Sequence, residues 1–158
     1  MQRIGMGHDR HRLVAGKPLW LGGVPIPFEL GLDGHSDADV VLHALTDALL
    51  GSLALGDIGE WFPNTDEQWK GASSDRFVVA AMAAVRERGW EVCNVDATIH
   101  AERPKLSAYK SAIAARMAEL LAVETDQVSV KAKTGEKVGP VGRGECIDAD
   151  VIVLVRKV

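Results

Sequence analysis

The sequence predicts an α/β (α+β) protein with a single domain, residues 1–158, in which helices pack on a mixed β-sheet. Three observations favour this class. Segments that alternate apolar and polar residues, as strands do, occur along the whole chain and are separated by segments with helical periodicity. The last strand-like segment contains an unbroken apolar run, residues 151–155, which predicts a strand buried on both faces. No internal repeat, low-complexity tract or linker divides the chain.

The first predicted strand covers residues 2–12. Asp9 and His11 lie on the same side of it, because side chains at i and i+2 leave the same face of an extended backbone. The other positions on this side are Gly5 and Gly7. We therefore expect this face to be open and able to admit a ligand.

A hairpin and a helix are predicted next. The pair Gly22-Gly23 separates two short apolar segments and is a signal for a two-residue hairpin turn. The helix is predicted over residues 37–55, with Ser36 or Asp37 as its N-cap and Gly56 at its end. The residues predicted to form its core-facing stripe are Leu42, Leu45, Leu49 and Leu53.

The remaining elements follow from the same criteria. A long irregular connection, residues 57–66, is of a length that is usually functional or mobile. The predicted elements after it are a helix over residues 74–88, a strand over 91–102, a helix over 107–122, a strand over 128–133, a glycine-rich loop over 135–144 and a strand over 146–156.

Composition narrows the class of protein. The chain is 47% hydrophobic and 25% charged, which is ordinary for a globular protein. The net charge of -4 argues against nucleic acid or an anionic membrane as the main partner. We find no signal peptide and no stretch near the roughly 20 apolar residues of a membrane span. Cys93 and Cys146 suggest buried thiols in a reducing compartment, so the expected location is the cytoplasm.

Asp9, His11 and His43 are candidate metal ligands. Three nitrogen or oxygen ligands with an open fourth position describe a catalytic zinc site. Asp39 and Asp47 lie one helical turn before and after His43, so we expect them to orient the ligands. The alternative is that His43 is an ordinary helix histidine and Asp9 an ordinary turn acid. Spacing alone does not separate the two interpretations.

Several polar segments are candidate phosphate sites. His35, Ser36 and Asp37 precede a predicted helix N-terminus, where backbone N–H groups favour an anion, although the same residues also describe a plain cap. Residues 131–137 place lysines, a hydroxyl and Glu136 at a strand end, and the alternative there is a solvated end. The residues that add further cations are Lys105 and Arg143. No P-loop or GxGxxG motif is present, so the combination suggests metal-aided phosphoryl chemistry outside the common nucleotide folds.

Seven motifs occur in an order that resembles one known family. They are GHDRH at residues 7–11, HSDAD at 35–39, LHALTDAL at 42–49, GDIG at 56–59, FPNTD at 62–66, KAKTGE at 131–136 and GRGE at 142–145. Together they resemble the 2-C-methyl-D-erythritol 2,4-cyclodiphosphate synthase family over essentially the full chain. The sequence departs from the family pattern at His8, Asn64, Pro140 and Asp150, none of which is an implied metal ligand.

The resemblance implies a homotrimer with active sites between adjacent subunits. The implied reaction converts 4-diphosphocytidyl-2-C-methyl-D-erythritol 2-phosphate, a cytidine diphosphate compound, to the cyclic diphosphate and releases CMP in the non-mevalonate route to isoprenoids. This is a phosphorus–oxygen lyase activity. The resemblance also implies a central cavity that can hold an isoprenoid diphosphate. Two alternatives remain: a metal-dependent phosphohydrolase, and a trimer that binds nucleotide or lipid diphosphate without turnover.

The resemblance also implies roles for individual residues. One zinc ion per subunit would be held by Asp9, His11 and His43, and magnesium or manganese would be held with the substrate by Glu136. The positions implied to stabilise the transition state are His35 and Thr134. Those implied to surround the methylerythritol phosphate are Ser36, Asp57, Ile58, Gly59, Phe62, Pro63, Asn64, Thr65 and Asp66. Those implied to form the cytidine and diphosphate pocket are Ala101, Lys105, Leu106, Ser107, Ala132 and Lys133.

Overall fold

Five strands form one mixed β-sheet in the computed structural model, which describes residues 1–158. The strands of the protein are β1 (Gln2–Ala15), β2 (Leu19–Leu21), β3 (Val24–Ile26), β4 (Leu30–Leu32), β5 (Trp90–His100), β6 (Val128–Lys133) and β7 (Cys146–Lys157). The helices are α1 (Val40–Ser52), α2 (Ile58–Trp61), α3 (Asp75–Glu87), α4 (Lys110–Leu121) and α5 (Gly139–Gly142), with 3₁₀ turns at Glu67–Trp69 and Thr125–Gln127. None of these helices combines the length and hydrophobicity needed to cross a lipid bilayer.

The strand order in the sheet is β4-β1-β7-β5-β6. β5 and β6 are parallel and are connected through α4, whereas the other neighbouring pairs are antiparallel. β2 and β3 form a separate hairpin, whose turn residues Gly22 and Gly23 both have positive φ angles. The predicted mixed sheet with packed helices, and the predicted hairpin, are therefore confirmed.

The helices cover only one face of the sheet, and this limits the burial of the central strand β7. Val151, Val153 and Val155 are fully buried beneath the helices, but Ile152 points to the other face and is 47% exposed. The prediction that residues 151–155 are buried on both faces is therefore wrong for a single chain. An apolar run shows that both faces avoid water, but not that both are covered by the same chain.

The uncovered face of the sheet carries a patch of exposed apolar side chains. Ile4 is 72% exposed and Met6 is 65% exposed, and Met6 is the cross-strand partner of Ile152. We call Ile4, Met6 and Ile152 the outer patch. Contiguous exposed apolar side chains of this kind typically mark an interaction surface.

A polar cluster lies beside the outer patch. His8 Nδ1 and His100 Nε2 are each 2.8 Å from one oxygen of Asp150. Burial opposes ionisation of this carboxyl, but the two imidazole hydrogen bonds lower the pKa of Asp150 below its ordinary value. His8 and Asp150, two of the positions where the sequence departs from the family pattern, are thus direct partners.

The face of β1 that carries Gly5 and Gly7 is closed by helix α1. A Cβ atom on Gly5 would lie 1.9 Å from the carbonyl oxygen of Ala48, and one on Gly7 would lie 1.9 Å from that of Ala44. The prediction of an open face is therefore wrong at Gly5 and Gly7, whereas Asp9 and His11 on the same face line a cavity. The two glycines instead allow the backbones of the strand and the helix to approach each other closely.

Helix α1 is shorter than predicted at both ends. Its N-cap is Asp39, rather than Ser36 or Asp37, and its C-cap is Leu53. The carboxylate of Asp39 accepts hydrogen bonds from the backbone N–H groups of Val41 and Leu42 in the helix. The four leucines of the predicted stripe are buried, but so is nearly every other side chain of the helix.

The same carboxylate joins the hairpin to the helix. Asp39 also accepts hydrogen bonds from Gly22 N–H at 2.9 Å and Gly23 N–H at 2.7 Å. Burial raises the pKa of Asp39, while these backbone donors act in the opposite direction. Asp39 is therefore committed to holding two elements together and does not face the metal candidates.

Other boundaries also differ from the prediction. Helix α4 begins at Lys110, three residues later than predicted, because residues 107–109 form a turn before it. The irregular segments 57–66 and 135–144 contain the short helices α2 and α5. The three-residue strand β4 was not predicted, since it is too short to show a period.

Candidate metal centre and phosphate sites

The three candidate metal ligands meet at one point. Asp9 Oδ2 lies 2.9 Å from His43 Nδ1 and 3.1 Å from His11 Nε2, and the two histidine nitrogens are 3.3 Å apart. Two elements supply them: β1 carries Asp9 and His11 on adjacent inward positions, and α1 carries His43 one residue before Ala44, where the helix crosses the strand. The close crossing at Gly7 therefore brings His43 to the strand ligands.

The triangle of ligand atoms suits zinc. A tetrahedral ion bound at about 2.0–2.1 Å requires its ligand atoms to be about 3.4 Å apart. The three distances, 2.9, 3.1 and 3.3 Å, lie within about 0.5 Å of that value. Asp9, His11 and His43 also form the group of side chains in this chain whose ligand atoms are close enough together to hold a metal ion. Two imidazoles and a carboxylate leave a fourth position for another ligand.

Hydrogen bonds place charge on this group even before a cation binds. Burial opposes ionisation of Asp9, but hydrogen bonds from His11 and His43 lower the pKa of its carboxyl far below the usual range. Burial also disfavours the charged form of His11, and the hydrogen bond to Asp9 outweighs it, so the pKa of His11 rises above its ordinary value. A metal ion that binds here must displace the proton that His11 holds.

The ring nitrogens that face away from the triangle also have partners. His11 Nδ1 lies 2.5 Å from the carbonyl oxygen of Asp33. His43 Nε2 lies 2.8 Å from Ser74 Oγ and 3.0 Å from Ser36 Oγ. Such outer partners fix the orientation and tautomer of histidines that bind a metal.

Asp39 and Asp47 were expected to orient the ligands, and that prediction is wrong. Asp39 binds the hairpin, as described above. Asp47 accepts a hydrogen bond from Ile58 N–H at 2.7 Å and so anchors the start of α2. The helical spacing was correct, but the side chains are used for different partners.

A cavity of about 330 Å³ opens in front of the triangle. Asn64 and the aromatic residues Phe62, Trp69 and Phe77 lie on one side of it, and the ring centroids of Phe62 and Phe77 are 4.6 Å apart. The predicted site residues that line this cavity are Asp9, His11, His35, Ser36, His43, Ile58, Gly59, Phe62 and Asn64.

Four predicted substrate contacts lie outside the lining of this cavity. Asp57 and Asp66 are N-caps, and their carboxylates accept backbone N–H bonds from Glu60 and Gln68. The carbonyl oxygen of Asp66 lies 3.5 Å from Nε2 of His35, which does line the cavity. The other two residues are Pro63 and Thr65.

A second cavity, of about 410 Å³, lies at the end of β5 and β6. The predicted residues that line it are Ala101, Lys105, Leu106, Ser107, Ala132, Lys133 and Thr134. Arg103 lies on the same lining but is paired with Glu29 at 3.0 Å, which leaves Lys105 and Lys133 beside the single carboxylate of Glu102. This excess of positive charge suits an anion such as a diphosphate.

Thr134 and Glu136 occupy the loop beside the second cavity. Thr134 Oγ1 lies 3.2 Å from Glu136 Oε1, and both residues are exposed. Glu136 has a φ of 50° and Lys137 a φ of 62°, which are left-handed backbone conformations that residues other than glycine rarely adopt. Glu102 accepts a hydrogen bond from Gly135 N–H and so holds this loop. Strained, exposed loops with polar side chains frequently bind ligands.

Arg143 lines neither cavity. Its guanidinium Nε lies 2.7 Å from Glu145 Oε1, and this hydrogen bond raises the pKa of Arg143. Its contact with a phosphate therefore stays a prediction.

The two cavities have no lining residue in common. The first lies against β1 and the second against β6, and β7 and β5 separate these strands in the sheet. Three steps of about 4.8 Å place β1 and β6 roughly 14 Å apart. The predicted site residues therefore form two groups in one chain.

Sequence reasoning missed several residues of the candidate site. Ser74 and Phe77 contact His43, and Asp33 contacts His11. Ser74 lies at the start of a helix, where serine signals a cap. The sequence contains no sign that its hydroxyl reaches a histidine on another helix.

Comparison with known proteins agrees with this geometry. The model of the YgbB family matches residues 2–156. The chain belongs to the YgbB family. The family match thus covers both cavities and every candidate metal ligand.

Relatives of the chain carry consistent names. It is 52% identical over 153 residues to a 2-C-methyl-D-erythritol 2,4-cyclodiphosphate synthase of Synechococcus elongatus, covering 97% of this chain and 96% of the relative. It is 58% identical over 155 residues to a bifunctional enzyme IspD/IspF of Albidiferax ferrireducens, covering 98% of this chain and 37% of that relative. The chain therefore spans just over a third of the length of that bifunctional relative.

A solved structure resembles the whole fold. The structure of a 2C-methyl-D-erythritol-2,4-cyclodiphosphate synthase in its CDP-bound form matches with a TM-score of 0.90 and 38% sequence identity. The match covers 98% of this chain and 100% of the other. The two-layer fold described above is therefore the fold of this family.

Proposed function

We propose that the chain is a 2-C-methyl-D-erythritol 2,4-cyclodiphosphate synthase, a phosphorus–oxygen lyase of the non-mevalonate isoprenoid route. In this reaction the 2-phosphate of 4-diphosphocytidyl-2-C-methyl-D-erythritol 2-phosphate attacks the β-phosphate, and CMP leaves. The observation that carries the proposal is the triangle of Asp9, His11 and His43 at the edge of a cavity, in a chain of the YgbB family. The names of the relatives support the same reaction.

Charge neutralisation at the phosphates is the role proposed for the metal ligands. Asp9, His11 and His43 would hold zinc, Glu136 would help to hold magnesium or manganese, and the bound ions would supply Lewis acidity to the phosphate oxygens. His35 lines the first cavity next to the triangle, where its ring can donate to a phosphate oxygen.

The protein needs to supply no nucleophile, because the substrate contains its own. Alignment of two groups within one molecule can contribute about 7–11 kcal/mol to lowering a barrier. The packed aromatic residues Phe62, Trp69 and Phe77, together with Gly59 in helix α2, bound the space proposed for the methylerythritol backbone. The residues of the chain therefore act by positioning and by charge.

The second cavity is the proposed site of the cytidine diphosphate part. Lys105 and Lys133 provide cations for the phosphates, and Ala101 and Ala132 provide a floor without bulky side chains. Thr134 lies at the rim, where its hydroxyl can reach a phosphate oxygen during the transfer. That a related structure is described as a CDP-bound form supports this assignment.

A homotrimer brings the two halves of the site together. In one chain the metal triangle and the Thr134 loop line different cavities, so a complete site needs the first cavity of one subunit and the second cavity of its neighbour. The outer patch of Ile4, Met6 and Ile152 gives the subunits an apolar surface to bury around a three-fold axis. The space enclosed by three such patches is where an isoprenoid diphosphate would bind.

The proposal is tested by the product. Purified protein with zinc and magnesium is incubated with the substrate and followed by phosphorus NMR. We expect the cyclic diphosphate and CMP from the unchanged chain, near-total loss in Asp9→Asn, and full activity in the control Asp126→Asn, since Asp126 is exposed in the turn before β6, at the opposite end of that strand from the second cavity. Release of inorganic phosphate would instead indicate a phosphohydrolase, and CDP binding without CMP production would indicate a binding protein.

A further inference from the structure

Ser74 occupies an N-cap position but does not serve as a cap. It precedes helix α3, where a serine hydroxyl ordinarily accepts a helix N–H and contributes roughly 0.5–2 kcal/mol. Here the Ser74 side chain makes no such bond, and the residue is fully buried. Its hydroxyl is therefore committed to other partners.

Those partners are His43 on one side and Asp37 on the other. Ser74 Oγ lies 2.8 Å from His43 Nε2 and forms a short hydrogen bond with Asp37 Oδ1. The other carboxylate oxygen of Asp37 accepts the Ser74 backbone N–H at 2.9 Å. Asp37 thus holds both the hydroxyl and the backbone of the serine in place.

This chain of hydrogen bonds has one direction. An ionised carboxylate only accepts, so the Ser74 hydroxyl donates its proton to Asp37. The serine oxygen is then left to accept the proton of His43 Nε2–H. When a metal ion displaces the proton that His43 Nδ1 donates to Asp9 at 2.9 Å, the neutral His43 keeps its other proton on Nε2 and presents the lone pair of Nδ1 to the metal.

We propose that Ser74 and Asp37 are a positioning pair that fixes the tautomer and orientation of His43 as a metal ligand. The inference rests on the metal centre of the proposed function and adds two residues to it. Partners of this type make the imidazole a stronger base, and their loss typically weakens metal binding by 10- to 100-fold.

Ser36 has a different role at the same nitrogen. Its Oγ lies 3.0 Å from His43 Nε2 and accepts a hydrogen bond from Ala38 N–H, but no carboxylate contacts it. Ser36 also lines the cavity, whereas Ser74 does not. The Ser36 hydroxyl can therefore turn towards a phosphate while Ser74 holds the histidine.

The test measures zinc affinity directly, by competition with a chromogenic chelator at neutral pH, and needs no turnover. We expect the zinc Kd to rise 10- to 100-fold in Ser74→Ala. The matched control is Ser73→Ala, because Ser73 is the exposed neighbour in the same loop, and its Kd should equal that of the unchanged chain. Ser74→Thr, which restores the hydroxyl, should recover most of the affinity.

Two further measurements separate positioning from folding. Nitrogen NMR of the zinc-loaded protein should show His43 protonated on Nε2, with that signal lost or broadened in Ser74→Ala. Asp37→Asn keeps Ser74 in place, weakens its acceptor and should raise the Kd in the same direction. A Ser74→Ala Kd within about twofold of the unchanged value would overturn the positioning pair. Failure of the unchanged chain to bind zinc would instead refute the metal centre itself.

Discussion

A Cβ atom on Gly7 would lie 1.9 Å from the carbonyl oxygen of Ala44, closer than any side-chain atom can approach. Strand β1 and helix α1 therefore touch backbone to backbone at this point. Asp9 follows Gly7 by two residues on the strand, and His43 precedes Ala44 on the helix. The spacing of two ligands from different elements depends on this contact between one glycine and one carbonyl group.

Gly7→Ala should therefore separate the ligands as well as destabilise the fold. Overpacking of a filled interior lowers the free energy of unfolding by about 1–3 kcal/mol. The loss in Gly7→Ala should reach the upper end of this range or exceed it, because the added Cβ meets a backbone carbonyl group, which cannot move aside as a side chain can. We expect a lower free energy of unfolding in urea and weaker zinc binding by the folded protein. The matched control is Gly51→Ala in the same helix, where a Cβ meets nothing within 4 Å. That variant should gain up to about 1 kcal/mol and keep its zinc affinity; equal behaviour of the two variants would contradict the close contact.

Zinc affinity should decrease at acid pH because of His11. Its ordinary pKa of 6.5 is raised by Asp9, so the proton is held to a pH above that value. Zinc must displace this proton, and the affinity then falls by about tenfold for each unit of pH below the raised pKa. The carboxyl of Asp9, with its strongly lowered pKa, stays ionised throughout this range.

The measurement is a series of zinc competition titrations between about pH 5 and 9, in buffers that do not bind zinc. A flat affinity above the raised pKa and a steady decline below it are expected. An affinity that is independent of pH down to the ordinary pKa of a carboxyl would show that His11 is not a ligand.

Two inactive variants should restore activity to each other if the active site is shared between subunits. Asp9→Asn removes a ligand from the first cavity, and Glu136→Gln removes a carboxylate beside the second. When the two variants are co-expressed and mix at random, on the order of a quarter of the interfaces carry both unaltered halves. We expect roughly that fraction of normal CMP production.

A site within one chain would give no activity in the mixture, because each chain would lack one half. Glu87→Gln in place of Glu136→Gln is the control, since Glu87 is exposed on helix α3. A mixture of Glu87→Gln with Asp9→Asn should keep the activity of every site whose metal ligands come from a Glu87→Gln chain.

A charge in the outer patch should dissociate the assembly. Met6→Lys places an ammonium group among Ile4 and Ile152, and burying an unpaired charge at an interface is strongly unfavourable. Light scattering after size exclusion should show a smaller species with little activity and preserved zinc binding. The control is Val79→Lys, because Val79 is 55% exposed on helix α3, away from the patch. A full-size, active Met6→Lys assembly would show that this face is not the interface.

The strand and helix periods predicted most of the fold and identified Asp9, His11 and His43 as metal candidates, whereas the family resemblance was needed to prefer a metal site to ordinary polar side chains. Asp9 and His11 share a face because of the two-residue period of a strand, and that part of the site follows from sequence alone. Whether that face is open depends on which helix crosses it, and a strand sequence does not encode this. The small size of Gly5 and Gly7 was visible, but it has two explanations: room for a ligand, or room for a backbone.

Side chains with several possible partners were the main source of error. Asp39 and Asp47 have the correct helical spacing to approach His43, yet backbone N–H groups from the hairpin and α2 take their carboxylates. Ser74 shows the reverse case, since a residue that signals a cap contacts a histidine instead. The periodicity of a helix or strand determines the direction in which a side chain points. The group that it contacts depends on how the other elements pack against that face.

The alternation along β1 has a consequence for engineering. Gly5, Gly7, Asp9 and His11 face the helices, and Ile4 and Met6 face outward from the same eight-residue stretch. Removal of one residue between Met6 and Asp9 would put the two sets out of step, because the metal ligands and the outward apolar residues would then leave the same face of the strand. Substitutions can adjust either face separately, but an insertion or deletion within the strand misplaces one face relative to the other, so libraries that vary chain length should begin beyond Ala15, where β1 ends.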